Sequence, residues 1–487
     1  MPPFHHHLKY AEWAREYGSL VTVMRGQHPT VLVSSAQAAR DIFDKMGTIT
    51  ASRPPSYLMN DVAHDGYSMG FSPNNDYWRL ARRLFHSILN VSATKQYVPF
   101  QELETTKLLV DILSDPTDFR THIFRYSNSI GLLLISGRRA PTPDDPAIEE
   151  VRENFGELSS IWLRGSLPDY FPILRMFPDW VFPSIRKARE HSVKDAKIAL
   201  KHFVPCKESM NILPSLNKAL AQKQKKEEFE DIVGARMGLE LLTAATDTTS
   251  HTLINLIAAL ACFPDVQHKA HEEIDRVVGP NRIPNTTDMS TLPYIRQIVQ
   301  ELHRWSSIAP FGVPHSSTKE ITYDGYTIPA GSTLIINAYF IHNDLSVYEN
   351  PRAFKPERWE GKLQEAKEDS VGARSELFTF GAGRRICPGQ HLAERNLFLT
   401  VSKIIWACDI SKKTTEDGKE VPIDTENHSP GAVISIAPYA VNIKPRSTAH
   451  VEVAKGEWNT GRDEFLDEKE QWKRVTPGIE ELMRKVK

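Results

Sequence analysis

Apolar residues recur three and four positions apart over most of this chain, and alternate singly over only a few short runs. The first period predicts helices and the second strands. A short helix is expected over Leu8–Tyr17, then strands at Leu20–Val23 and Thr30–Val33 turning at Gly26–Pro29. A helix over Ala36–Lys45 follows, then a loop to about Phe71 with neither period. Helical patterns resume at Asp76, Leu103–Leu113 and Thr121–Ser136. The longest runs from Asp231 to Phe263 and is apolar almost all round, as in a helix buried on every side. At 1.5 Å per residue it would measure roughly 45 Å, enough to cross a domain. Pro264-Asp265 ends it, and helices over Val266–Val278 and Leu292–Trp305 come next. Strands are expected at Ile308–Pro314, in a hairpin turning at Asp324-Gly325, at Ser332–Asn337 and at Val433–Ile436. A short helix at Tyr339–His342 and a long one over His391–Ala407 complete the pattern. The expected class is mainly α with smaller β-sheets (α+β).

Composition narrows the function classes. The 487 residues are 40% hydrophobic and 25% charged, with length enough for one large core. A net charge of −2 argues against a general nucleic-acid binder. Four scattered cysteines (Cys206, Cys262, Cys387, Cys408) show neither disulfide nor zinc spacing. No run of eighteen apolar residues marks a membrane span. No linker or repeat is visible, so one domain is expected. Two stretches stand apart. Ile161–Glu190 interleaves Trp162, Tyr170, Phe171, Phe177, Trp180 and Phe182 with prolines, which suits either a membrane-facing lip or ordinary helix packing. Lys223–Glu230 reads as a charged, solvated connector.

The chemistry concentrates in Phe380-Gly-Ala-Gly-Arg-Arg-Ile-Cys-Pro-Gly389, directly before a helical pattern. A cysteine at a helix N-terminus is favoured as thiolate, because unpaired N–H groups and the helix dipole point at it. Gly383 and Gly389 lack a Cβ and let backbone come close to the sulfur and a flat ligand. Pro388 suits the first helical turn. Phe380 would keep water from the sulfur. A second cluster, Thr246-Asp-Thr-Thr-Ser250, interrupts the otherwise apolar long helix. Buried polar groups need partners or a purpose. The bland reading of its threonines is a bond back to the carbonyl one turn earlier.

Phe380-x-x-Gly383-x-Arg385-x-Cys387-x-Gly389 resembles the haem loop of the cytochrome P450 monooxygenases, and Ala244-Ala-Thr-Asp-Thr248 resembles that family's oxygen-groove motif, with Ala245 where glycine is usual. Trp78-x-x-x-Arg82 and Glu301-Leu-His-Arg304 complete the set, with Arg358 as the expected third member of a structural triad. The resemblance covers roughly Tyr10 to Pro445. It implies a catalytic domain over 1–445, with 446–487 as a charged extension of no assigned role. It implies haem b with Cys387 as axial ligand, and Trp78, Arg82, His315 and Arg385 as propionate anchors. Asp247 would relay protons from solvent, and Thr248 would hold the water or hydroperoxide. A small hydrophobic organic substrate and O2 would react, with electrons from an NADPH-dependent flavoprotein reductase and cytochrome b5 as a second candidate donor. Arg83 and Arg384 are candidates for the docking face. Ala51-Ser-Arg-Pro-Pro55 and Ser92-Ala-Thr-Lys95 look most like filamentous-fungal members, which often oxidise secondary metabolites. Such members sit on the cytoplasmic face of the endoplasmic reticulum by an N-terminal anchor, and Met1–Phe4 reads as starting beyond it. Two alternatives stand beside this one: a haem-thiolate isomerase or dehydratase acting on peroxides, and a non-enzymatic haem sensor or carrier.

Overall fold

The computed structural model describes residues 5–208, 215–363 and 377–473. Met1–Phe4 and the end of the charged tail therefore lie outside the described residues. The helix Asp231–Cys262 runs through the middle of the main hydrophobic cluster, and most of its side chains are buried. Its principal neighbours are the helices Phe119–Ser136 and Pro183–Glu208. Gly131 makes the first approach possible, since a Cβ there would lie 2.6 Å from the Leu242 side chain. The helix Gln390–Ala407 closes the core below, against Val98–Ser114.

The β-structure is peripheral. Strands β1 (Leu20–Arg25), β2 (His28–Val33), β3 (His315–Ser316) and β6 (Thr333–Ile336) form one sheet in the order β1-β2-β6-β3. Its β2–β6 pairing is parallel, so the chain returns to this sheet after most of the helical body. The hairpin β4 (Ile321–Tyr323) and β5 (Tyr326–Ile328) turns at Asp324-Gly325 with positive φ at both residues, as a two-residue type I′ turn requires. A third sheet pairs β7 (Cys408–Lys412) with β8 (Val441–Pro445).

Several local expectations fail for physical reasons. Ile308–Pro314 is not a strand but a turn, and pairing starts only at His315. Val433–Ile436 makes a single bridge, Ile436 to His428, and the final sheet forms from β7 and β8 instead. The Ala36–Lys45 helix is α only to Ala39 and widens to a π-helix over Arg40–Lys45. Pro388 stands before the helix N-cap, Gly389, rather than in the first turn. The start of the charged connector continues a helix, Leu216–Glu227.

The segment of residues 446–473 is built into the core. Its helix Thr448–Phe465 packs on Val98–Ser114, and Trp458 and Trp472 are buried. Fully buried Glu104 accepts from Arg125 (2.8 Å), Ser129 (2.9 Å) and Arg139, and Arg139 reaches on to Glu470 (3.0 Å).

Candidate haem and oxygen site

The cysteine loop is folded by its own backbone. The Cys387 N–H donates to the Phe380 carbonyl (2.9 Å), and Gly381 N–H to Phe378 (2.9 Å). Gly383 has φ of +63°, and a Cβ there would sit 2.1 Å from the Phe43 carbonyl oxygen. Its N–H donates to Asp44 (2.6 Å). This glycine therefore lets the loop press on the Arg40–Lys45 π-turn, a contact that the sequence does not reveal. Gly389 is the glycine beside the sulfur, where a Cβ would come 3.9 Å from Sγ. Burial raises the Cys387 thiol pKa, while the Gly389 and Gln390 N–H groups and Arg82 pull it down. The three opposing groups are those that would stabilise a thiolate. Phe380 turns its ring edge-on to buried His303 at 5.1 Å.

Beside the loop lies a concentration of buried positive charge. Arg385 donates to the carbonyls of Ala51 (2.7 Å), Met69 (3.1 Å) and Ser72 (2.9 Å), and stacks 4.0 Å over the Trp78 ring. Burial, Arg53 and Arg82 together push its pKa down to about 8. Arg53 donates to Gly70 (2.8 Å), Val313 (2.7 Å) and Pro314 (3.0 Å), and burial takes its pKa to about 9. Arg82 is also lowered by burial, against a pull from Cys387. His315 Nδ1 donates to Thr50 (2.9 Å), and burial, then Arg53, hold the ring well below its usual pKa. Trp78 keeps a buried indole N–H with no partner. Burying Arg53 and Arg385 together, with half-buried Arg82 beside them, is unfavourable until an anion joins them. The two carboxylates of a haem fit that requirement, and the orphaned Trp78 N–H supplies a further donor. Arg53 is the member that sequence reasoning missed. It stands in Ala51-Ser-Arg-Pro-Pro55, which on its own suggests only the entry to a loop, and an arginine before two prolines is the available signal.

Across the site, the long helix turns Ala244, Ala245 and Thr248 toward open space, while Thr246 and Asp247 are buried. Thr248 Oγ donates to the Ala244 carbonyl (2.7 Å), the back-bond of the bland reading. That bond uses its proton and leaves its lone pairs as acceptors. Asp247 Oδ2 has no partner, and burial raises its pKa to about 8, opposed by Arg152. It is therefore largely protonated at neutral pH. The structural triad assembles as expected: Arg304 grips Glu301 with two bonds (2.7 and 2.9 Å), and Arg358 approaches to 3.4 Å. Trp359 Nε1 and Lys355 N–H donate to the same carboxylate.

Comparison with known proteins agrees with this geometry. A profile described as Cytochrome P450 matches residues 4–442. The chain is 41% identical to the cytochrome P450 monooxygenase alnH of Emericella nidulans, over 99% of this chain and 88% of that protein. It is 37% identical to virE of Hypocrea virens, over 98% and 88%, and 33% identical to fogE of Aspergillus ruber, over 98% and 90%. Both are also named cytochrome P450 monooxygenases. A zebrafish cytochrome P450 solved with abiraterone shares the fold with a TM-score of 0.71 at 21% identity, covering 91% of this chain and all of that one. The chain belongs to the cytochrome P450 family, as a haem-thiolate monooxygenase of the oxidoreductase class.

Proposed function

We propose that this protein oxidises a small hydrophobic organic molecule, by hydroxylation, epoxidation or a related oxidation, as a step in fungal secondary-metabolite biosynthesis. The family uses haem, a small substrate, O2 and a redox partner. The finer assignments are haem b, bound through Cys387, and an NADPH-dependent flavoprotein reductase, with cytochrome b5 as a second candidate donor. When bound, the haem supplies the redox-active iron at which oxygen is activated, with the thiolate ligand favouring O–O cleavage. Arg53, Arg82, Arg385 and Trp78 would hold its carboxylates, and His315, whose Nδ1–H is given to Thr50, would join them through Nε2 in the protonated form that a neighbouring carboxylate favours. Gly383 fixes the loop, and Phe380 and Gly389 frame the sulfur.

The observation that carries the reading is Asp247, a buried carboxyl with a free oxygen, next to Thr248 on the open face of the long helix. One oxygen atom enters the substrate and the other leaves as water, which takes two electrons and two protons. Asp247 carries a proton in from solvent, and Thr248 accepts the hydrogen bond of the water that passes it on. A peroxide isomerase has less need of such a relay, and the names of the relatives also favour the monooxygenase.

Exposed Arg83 and Arg384 flank the thiolate side and suit an acidic reductase surface. Among the described residues no helix is long and apolar enough to cross a membrane. Ile173, Met176, Phe177 and Trp180 are exposed rather than packed between helices, so this lip favours peripheral contact with the endoplasmic reticulum membrane on its cytoplasmic face. The test is oxygen uptake by the reconstituted protein. Uptake that requires NADPH and reductase supports the proposal, and rearrangement or dehydration of an organic peroxide with no NADPH-dependent uptake overturns it.

A further inference from the structure

Two residues of the long helix, one turn apart, reach into the same loop. Arg236 bonds Asp65 (2.6 Å), Ser192 Oγ (2.9 Å) and Asp195 (3.2 Å). Glu240, four residues on, accepts from Ser68 Oγ (2.9 Å) and from the N–H groups of Met69 (2.7 Å) and Gly70 (2.8 Å). The approach is close, since a Cβ on Gly70 would sit 3.2 Å from Glu240 Oε1.

The carbonyls of this turn point the other way, to the arginines. Met69 and Ser72 accept from Arg385, and Gly70 accepts from Arg53. The Met69–Gly70 peptide therefore has Glu240 on its N–H and Arg385 on its C=O. Such a chain of bonds is mutually polarising, and neither end can move without the other. Arg53 continues to the carbonyls of Val313 and Pro314, immediately before His315.

We propose that Glu240 is a positioning residue for the haem carboxylate site. It clamps the 68–72 turn from the long helix, and the turn in turn aims Arg53 and Arg385. This rests on the assignment of those arginines to the haem carboxylates. A carboxylate is needed because it accepts on both oxygens. A glutamine would present an amide –NH2 to one of the two peptide N–H groups, leaving that donor unpaired.

The experiment compares Glu240→Gln, Glu240→Asp, Ser68→Ala and Arg385→Gln holoproteins with the parent. The readouts are haem transfer to apomyoglobin, the haem midpoint potential and thermal unfolding. Arg385→Gln and Glu240→Gln should each lose haem about tenfold faster, the loss of roughly one charge-assisted bond. Their potentials should shift in the same direction. Glu240→Asp should recover part of the loss. Ser68→Ala should show a smaller effect of the same sign, and it carries the test if Glu240→Gln does not fold. The Glu240→Gln/Arg385→Gln double variant should lose haem less fast than the two single effects multiplied, with its excess over Arg385→Gln reporting the share that acts through Arg53. If Arg385→Gln changes haem loss and potential while Glu240→Gln and Ser68→Ala change only thermal stability, the clamp is merely structural and the proposal fails. If Arg385→Gln leaves haem loss unchanged, the assignment of the arginines fails first.

Discussion

The Arg385 guanidinium lies 4.0 Å over the Trp78 ring, while the indole N–H beside it is buried without a partner. The stacking holds the cation in place, and the idle donor marks where an acceptor belongs. Trp78→Phe keeps a ring under Arg385 and removes the donor together with part of the ring's volume. An unsatisfied buried N–H costs about 1–3 kcal/mol. The apoprotein should therefore gain up to about 1 kcal/mol, while haem leaves the holoprotein several-fold faster. Thermal unfolding of the apoprotein and haem transfer to apomyoglobin read these opposite signs. Equal stability and unchanged haem loss would remove Trp78 from the carboxylate site.

Asp247 sets a pH dependence. Its folded pKa is raised by burial from 3.8 to about 8. Between those values the folded protein holds a proton that the unfolded chain has lost. The stabilisation is complete below about pH 4 and is lost as pH rises through about 8. Asp247→Asn should flatten this part of the stability profile and stabilise the protein at pH 8 by a few kcal/mol at most. The same variant should lose proton delivery, so product per NADPH falls. In the parent, coupling should decline above about pH 8. Profiles of parent and variant that run parallel would reject the assignment.

Two glycines of one loop should behave differently. Gly381 (φ +73°) would have nothing within 4 Å of an added Cβ, whereas Gly383 (φ +63°) faces the Phe43 carbonyl at 2.1 Å. Gly381→Ala meets only backbone strain, about 1–2 kcal/mol, and should still bind haem. Gly383→Ala must also push the loop off the Phe43 turn and should lose most of its haem. Haem content per folded protein, by absorbance, decides between them.

Lys403 is a buried ammonium that donates to Glu102 O (2.8 Å), Thr105 Oγ (2.7 Å) and Thr106 Oγ (2.9 Å). Burial lowers its pKa from 10.5 to about 7. Stability should rise as pH climbs from about 7 to about 10, because the unfolded chain still binds the proton there. Lys403→Met should be neutral or stabilising at pH 7 and should remove that slope, since both threonines keep backbone acceptors. Thermal midpoints across this range check it, and a clear loss of stability at pH 7 would contradict it.

The helical body was legible because its apolar period is long and regular, from Asp231 to Cys262 above all. Cys387, Asp247 and Thr248 were legible as candidates because the first lies in a glycine-rich loop before a helix and the other two are polar positions in an otherwise apolar helix. The strands were less so. Ile308–Pro314 is as apolar as a strand but covers other residues as a turn, and short apolar runs look alike in either state. β7 and β8 are well separated along the chain, and their pairing is a tertiary fact. The clamp of Glu240 on residues 68–70 and the seat of Gly383 on Phe43 join segments that are remote in sequence. No local pattern encodes them. Arg53 was hidden similarly, because its acceptors at Gly70, Val313 and Pro314 are brought together only by the fold.

The central claim is a sulfur-to-iron bond from Cys387. The most direct measurement is the absorbance spectrum of the purified, reduced protein under carbon monoxide, beside that of Cys387→His. The account predicts a thiolate-type band in the parent and its replacement by an imidazole-type band in the variant. An imidazole-type band in the parent, or a parent protein that takes up no haem, would contradict it.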